Sequence, residues 1–116
     1  MIKVVRFVKK RDDITREQFK EYWLTRHAQL EQIVLEKSPV RKIVASFATG
    51  ELISGALPFD GFAELYFDSL EDMRAMFASD IPAMMRKDEE NFVDMTVEPV
   101  RVVTEEYVIG EKEKGE

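Results

Sequence analysis

The chain predicts a single α+β domain, in which a four-stranded antiparallel sheet carries two helical regions. Three observations lead there. Runs of strand periodicity and helical periodicity follow one another in the order β-α-β-β-α-β. Each helical region opens on a Thr or Ser suited to an N-cap. The 116 residues, 45% hydrophobic and 34% charged, have the composition of one ordinary globular core.

The first strand is read at Ile2–Lys9, where Ile2, Val4, Arg6 and Val8 share one face and Lys3, Val5, Phe7 and Lys9 the other. Thr15 with Gln18 three residues on forms a capping box and opens one helix that fades at Lys37–Ser38, before Pro39. At about 100° per residue, Phe19, Leu30, Trp23, Val34 and His27 fall within about 80° of each other, with His27 at the edge of the stripe. Tyr22, Ile33 and Arg26 are expected on its other side. Val40–Thr49 reads as the second strand, and Gly50–Asp60, with Gly50, Gly55 and Pro58, as an excursion loop. In the third strand, Gly61–Asp68, Phe62, Glu64 and Tyr66 alternate with Ala63, Leu65 and Phe67. Ser69 caps the next helix, with Asp72 at the capping-box position and Leu70, Met73 and Phe77 as its buried stripe. Asp80–Pro82 marks a break and restart, after which Met85, Asp88 and Phe92 share a face. Thr96–Val108 is the last strand, and Pro99 assigns it to an edge or a bulge. Residues 1–109 form the expected domain; 110–116 read as a charged, disordered tail.

This order is the split βαβ, or ferredoxin-like, unit, with the first strand between the third and fourth. Its helices cover only one sheet face. The first and third strands carry large apolar groups on both faces, so the open face needs a cover. A second copy of the chain is the simplest one, which predicts a homodimer through the open sheet face.

A net charge of −6 argues against nucleic-acid and anionic-membrane partners. The absence of cysteine excludes disulfides, thiol nucleophiles and zinc–thiolate sites. One histidine cannot build a multi-histidine metal site, and no Gly-rich phosphate loop, nucleophile elbow or HExxH occurs. No metal or organic cofactor is expected. The start MIKVVRFVKK is too short and basic for a secretory signal, and no apolar run nears ~18 residues, so a cytoplasmic protein is expected.

His27, the only imidazole, is the first candidate for proton transfer; its bland alternative is a helix-packing histidine. Arg6 and Glu64 interrupt apolar strand faces and are expected close together on one face, as an anion-holding pair or a structural one. Asp88 sits among Met84, Met85 and Phe92; it is either an acid with a raised pKa or a partner of Arg26. Asp94 reads first as a turn residue, Tyr22 and Tyr66 as core phenols, and the methionines as core filler.

Ile2–Lys10, then ITREQFKEYW and HAQL within Ile14–Leu30, FAELYFDSLEDM at Phe62–Met73 and DEENFVDM at Asp88–Met95 together resemble EthD domains. The blocks arrive in that family's order across most of the chain. Gln29 departs from the pattern, because a proline often stands two residues after the family's histidine. The resemblance implies a ferredoxin-like subunit of the dimeric α/β barrel superfamily, with pockets for small, often aromatic or polyketide-like molecules. Relatives include muconolactone isomerases and polyketide-modifying lyases, which use acid–base chemistry without an organic cofactor; other branches bind haem.

The functional expectation is a cofactor-free lyase or isomerase for a small organic acid, lactone or polyketide-like substrate. His27, Asp88, Glu64 and Arg6 would be its catalytic groups, and Tyr22, Trp23, Tyr66, Phe92 and Asp94 its substrate contacts. The alternatives are a non-catalytic binder of a hydrophobic small molecule, less readily of haem, and a subunit whose role is assembly.

Overall fold

The computed structural model describes residues 1–49 and 57–114. Most of the expected Gly50–Asp60 loop and the last two tail residues lie outside the described residues.

Strands β1 (Ile2–Val8), β2 (Lys42–Phe47), β3 (Gly61–Phe67) and β4 (Val100–Glu105) form one antiparallel sheet in the order β2-β3-β1-β4. The first strand is therefore central, between the third and fourth. Pro99 stands just before β4, which starts later than expected and forms an edge, where a residue without an N–H does least harm. Gly61 opens β3 because a Cβ there would meet the Ser46 carbonyl oxygen at 2.6 Å. Among the described residues, no helix is long and apolar enough to cross a membrane.

Helix α1 (Arg16–Tyr22) has the full capping box between Thr15 and Gln18. The chain then makes a π-helical turn over Trp23–His27 before α2 (Ala28–Lys37). This corrects the expectation of one regular helix. The buried residues are Phe19, Trp23, His27, Glu31 and Val34, mostly four apart. Steps of four drift by about 40° each on a regular α-helix, and one wider turn absorbs that drift. His27 thus moves from the stripe's edge into the interior, while Arg26 and Ile33 are exposed.

Helices α3 (Leu70–Phe77) and α4 (Ile81–Glu89) follow, with Ser69 capping the former and Pro82 in the first turn of the latter. All the helices pack on one face of the sheet. Val8, Phe19, Trp23, Ala63, Phe92 and Val93 form one buried cluster. Val4, Val34, Val40, Phe67 and Met76 form the other, with Met73, Met84 and Met85 filling gaps around it.

Pairing register decides which polar residues share a face. Arg6 lies opposite Ala63 and Arg101, while Glu64 lies opposite Val5 and Val44. Arg6 therefore faces the helices and Glu64 the open side. The expected Arg6–Glu64 pair does not form, because a one-residue offset on a strand reverses the side chain.

Candidate functional site

Where the two buried clusters meet, a cavity of about 290 Å³ lies between the sheet and the helices. Val4, Arg6 and Val8 of β1 and Ala63 and Leu65 of β3 form its floor. Trp23, His27 and Glu31 come from the first helical region, and Met76, Phe77, Met85 and Glu89 from α3 and α4.

The inner end is organised around His27, which is only 4% exposed. Its Nδ1 lies 2.8 Å from Asp88 Oδ2. The Tyr22 hydroxyl donates to Asp88 Oδ1 at 2.8 Å, and Asn91 Nδ2 donates to the same oxygen at 3.3 Å. Burial alone would raise the Asp88 pKa, but the hydrogen bonds from His27 and Tyr22 outweigh it and hold the carboxyl below its usual range. This corrects the expectation of a raised acid. An ionised Asp88 only accepts hydrogen bonds, so the His27 hydrogen at that contact sits on Nδ1. Nε2 is the ring nitrogen left over, and among the described residues no hydrogen bond occupies it. The Tyr22 phenol is in turn raised by burial and by its bond to Asp88.

Aromatic rings fix the imidazole in place. Phe92 lies 4.9 Å from the His27 ring centre, 5.0 Å from Tyr22, 5.7 Å from Phe19 and 5.8 Å from Trp23. Rotation of the imidazole would have to displace this cluster, so the π turn and the Asp88 contact hold one orientation.

Glu31 was not singled out in the sequence, where its charge argues for a solvent-facing position. Trp23 Nε1 donates to its Oε1 at 3.0 Å, and the side chain is buried against the cavity. Burial raises its pKa, partly offset by His27 and by the Trp23 hydrogen bond. The run of four-residue spacings from Phe19 to Glu31 was the available signal.

Arg6 reaches Glu89 rather than Glu64, with Nη2 3.1 Å from Oε1 and Nη1 3.5 Å from Oε2. Arg101, also unforeseen, joins the same wall from β4.

Of the residues expected from sequence, His27, Trp23, Phe92 and Arg6 line the cavity, and Asp88 and Tyr22 stand behind His27. Three others lie elsewhere. Glu64 and Tyr66 belong to a network on the open face, where Lys3 bonds Glu64 and Glu106 and the Tyr66 hydroxyl donates to Glu106. Asp94 accepts from the Thr96 amide and hydroxyl in the turn after α4. Among the described residues, no three of His, Cys, Asp and Glu converge as metal ligands.

The fold is shared by several solved proteins. An ethyl tert-butyl ether D (EthD) family protein of Bacillus halodurans superposes with a TM-score of 0.71 at 20% identity, covering 92% of this chain and 99% of that one. An EthD-like protein of Ralstonia eutropha gives 0.68 at 23% identity, covering 96% and 94%. A dimeric protein of unknown function and ferredoxin-like fold from Bacteroides fragilis gives 0.63 at 16%, covering 90% and 94%. No curated protein matches the chain. The EthD domain model matches residues 11–96, from the turn before the first helix to the turn after Phe92, and the chain therefore belongs to the EthD family.

Proposed function

We propose that this domain is a cofactor-free lyase or isomerase, acting by proton transfer on a small organic acid, lactone or polyketide-like molecule. The observation that carries the reading is the placement of His27: one ring nitrogen is tied to an ionised Asp88, and the ring borders an apolar cavity. That is the arrangement a general base needs, because a fixed imidazole presents a lone pair in a defined direction.

In the proposed step, a C–H beside a substrate carbonyl gives its proton to His27 Nε2. The electron pair moves onto the carbonyl oxygen, making an enolate whose charge lies in the field of Arg6. The imidazolium, stabilised by Asp88, then returns the proton to another carbon in an isomerisation; in an elimination the carbonyl re-forms as a β-substituent leaves with its bonding pair, and the imidazolium gives its proton to that leaving group. Asp88 and Tyr22 are positioning groups, and Trp23 and Phe92 shape the apolar contact.

A homodimer belongs to this reading. Val5, Phe7, Val44 and Phe62 lie on the face of the sheet that no helix covers. The B. fragilis relative of the same fold is described as dimeric.

The test is deuterium exchange by NMR. Unsaturated lactones and β-keto carboxylates are incubated in D₂O with the wild type and with His27→Gln. Loss of exchange in the variant, with melting and sheet spectra kept, supports the reading. Equal exchange in both proteins, or ligand binding with no exchange in the wild type, defeats the proton chemistry; the second result leaves a binding protein.

A further inference from the structure

The helix-side cavity contains a second polar cluster, built from residues far apart in sequence. Arg6 and Arg101 are register partners on neighbouring antiparallel strands, so their side chains emerge side by side on the helix-covered face. Like charges at directly opposed positions repel. Arg86 adds a third guanidinium to the wall, and Glu89 is the one carboxylate paired with the group. Three guanidinium groups outnumber the two carboxylates of the lining, Glu89 and Glu31, in a chain whose net charge is −6.

Glu89 does not satisfy this cluster. Arg6 Nε and Glu89 Oε1 are both buried without a hydrogen-bond partner, even though the two side chains touch. Among the described residues, Arg101 makes no hydrogen bond or ion pair; its guanidinium lies 5.3 Å from the centre of the Phe77 ring. Although the side chain reaches solvent, the partial burial of its guanidinium, and then the nearness of Arg6, pull the Arg101 pKa below its usual value, with Glu89 opposing.

The position of the cluster gives it a direction. Ala83, Arg86 and Arg101 are exposed members of the lining, whereas Trp23, His27 and Glu31 are buried. The mouth of the cavity is therefore cationic, and the imidazole sits at the inner end. Val4, Leu65, Met76 and Met85 provide apolar wall. At the packing density of protein interiors, 290 Å³ holds about a dozen non-hydrogen atoms, the size of a single-ring acid.

We infer that Arg6 and Arg101 form a carboxylate subsite, which holds a monocarboxylate at the mouth with its apolar body directed inward to Trp23 and His27. The subsite rests on the guanidinium geometry. Only the catalytic meaning of the ligand's orientation rests on the proposed proton chemistry. Two guanidinium forks suit the two oxygens of one carboxylate, which would supply the negative charge that Glu89 leaves short.

Trp23 is the only tryptophan and lines the cavity, so its fluorescence reports occupancy. Benzoate, phenylacetate and cyclohexanecarboxylate are titrated beside benzamide, a neutral molecule of benzoate's shape. The expected result is saturable quenching, with benzoate bound about tenfold or more tightly than benzamide. Arg101→Gln should remove that preference and leave benzamide binding unchanged. It should also leave the melting curve nearly unchanged, because Arg101 is exposed on an edge strand. Added salt should weaken benzoate more than benzamide. Equal binding of benzoate and benzamide, an unaltered preference in Arg101→Gln, or no saturable quenching by any of the carboxylates would overturn the subsite. Wild-type protein that shows no carboxylate preference while its deuterium exchange is intact refutes the subsite alone, and the reverse pattern refutes only the proton chemistry.

Discussion

The two faces of the sheet each place charged residues in apolar surroundings, but they treat them differently. On the open face, Lys3 donates to both Glu64 and Glu106, and Tyr66 donates to Glu106. These carboxylates hold the ammonium above its ordinary pKa, Glu106 contributing most. The network is closed by the chain itself. On the helix-covered face, Arg6 and Glu89 touch but leave two buried polar atoms without partners, and among the described residues Arg101 makes no ion pair, feeling Glu89 only at longer range. A buried polar group left unsatisfied costs about 1–3 kcal/mol, so an incomplete network beside a cavity is where a ligand gains most. The comparison separates a structural cluster from a candidate site more sharply than residue type does.

The largest effect expected from this contrast is on the helix side. Phe92→Ala removes a ring packed against Phe19, Tyr22, Trp23 and His27, and should cost about 3–5 kcal/mol in urea unfolding. Phe62→Ala on the open face, where the ring is only half-buried and meets Phe7, should cost the isolated subunit far less. Equal costs at a protein concentration where the chain is monomeric would mean that the two faces are buried alike within one subunit, and the reason for a second copy would fall.

The next effect is on assembly. Phe62→Asp puts a charge in the middle of the open face while leaving the cavity lining untouched. In the proposed homodimer, the dissociation constant should rise about a hundredfold, roughly 3 kcal/mol, because an unpaired carboxylate would be buried at the interface. Sedimentation velocity across a dilution series reads it directly. A wild-type chain that sediments as a monomer at every concentration would remove the dimer from the proposal.

Much of this arrangement is legible in the sequence, and the missing parts share a cause. Alternation along β1 and β3 separates Arg6 from Lys3 and Ala63 from Glu64, because a strand's period is strictly two. It does not say which alternate of β3 lies on the face of Arg6. Phe62 and Tyr66 are bulkier than Ala63, yet they occupy the open side, and that choice comes from register across the sheet. Arg101 was missed for the same reason, since only pairing with β1 brings it beside Arg6. His27 was found because it is the only imidazole, whereas its depth depends on the π turn, which a wheel of constant pitch does not contain. Glu31 was hidden by its type: a glutamate on a helix reads as solvated until the helix register turns it inward.

Glu31 also offers the finest test, because it belongs to the inner end of the cavity and should be a small liability to the fold. Its carboxyl is raised above the ordinary value of 4.5, mainly by burial. The folded chain therefore holds that proton more tightly than the unfolded chain does. The stabilisation is complete at pH below 4.5 and is lost as the pH rises through the folded-state value. Glu31→Gln keeps an oxygen for the Trp23 N–H and removes the charge. It should raise unfolding stability at pH 7 by about 1 kcal/mol and change little at pH 4. Urea melts of both proteins at the two pH values measure this. If the variant is instead less stable at pH 7 than at pH 4, relative to wild type, Glu31 is ionised against a positively charged His27. The inner end of the cavity would then begin its cycle by donating a proton to the substrate rather than by removing one, and the proposed order of steps would reverse.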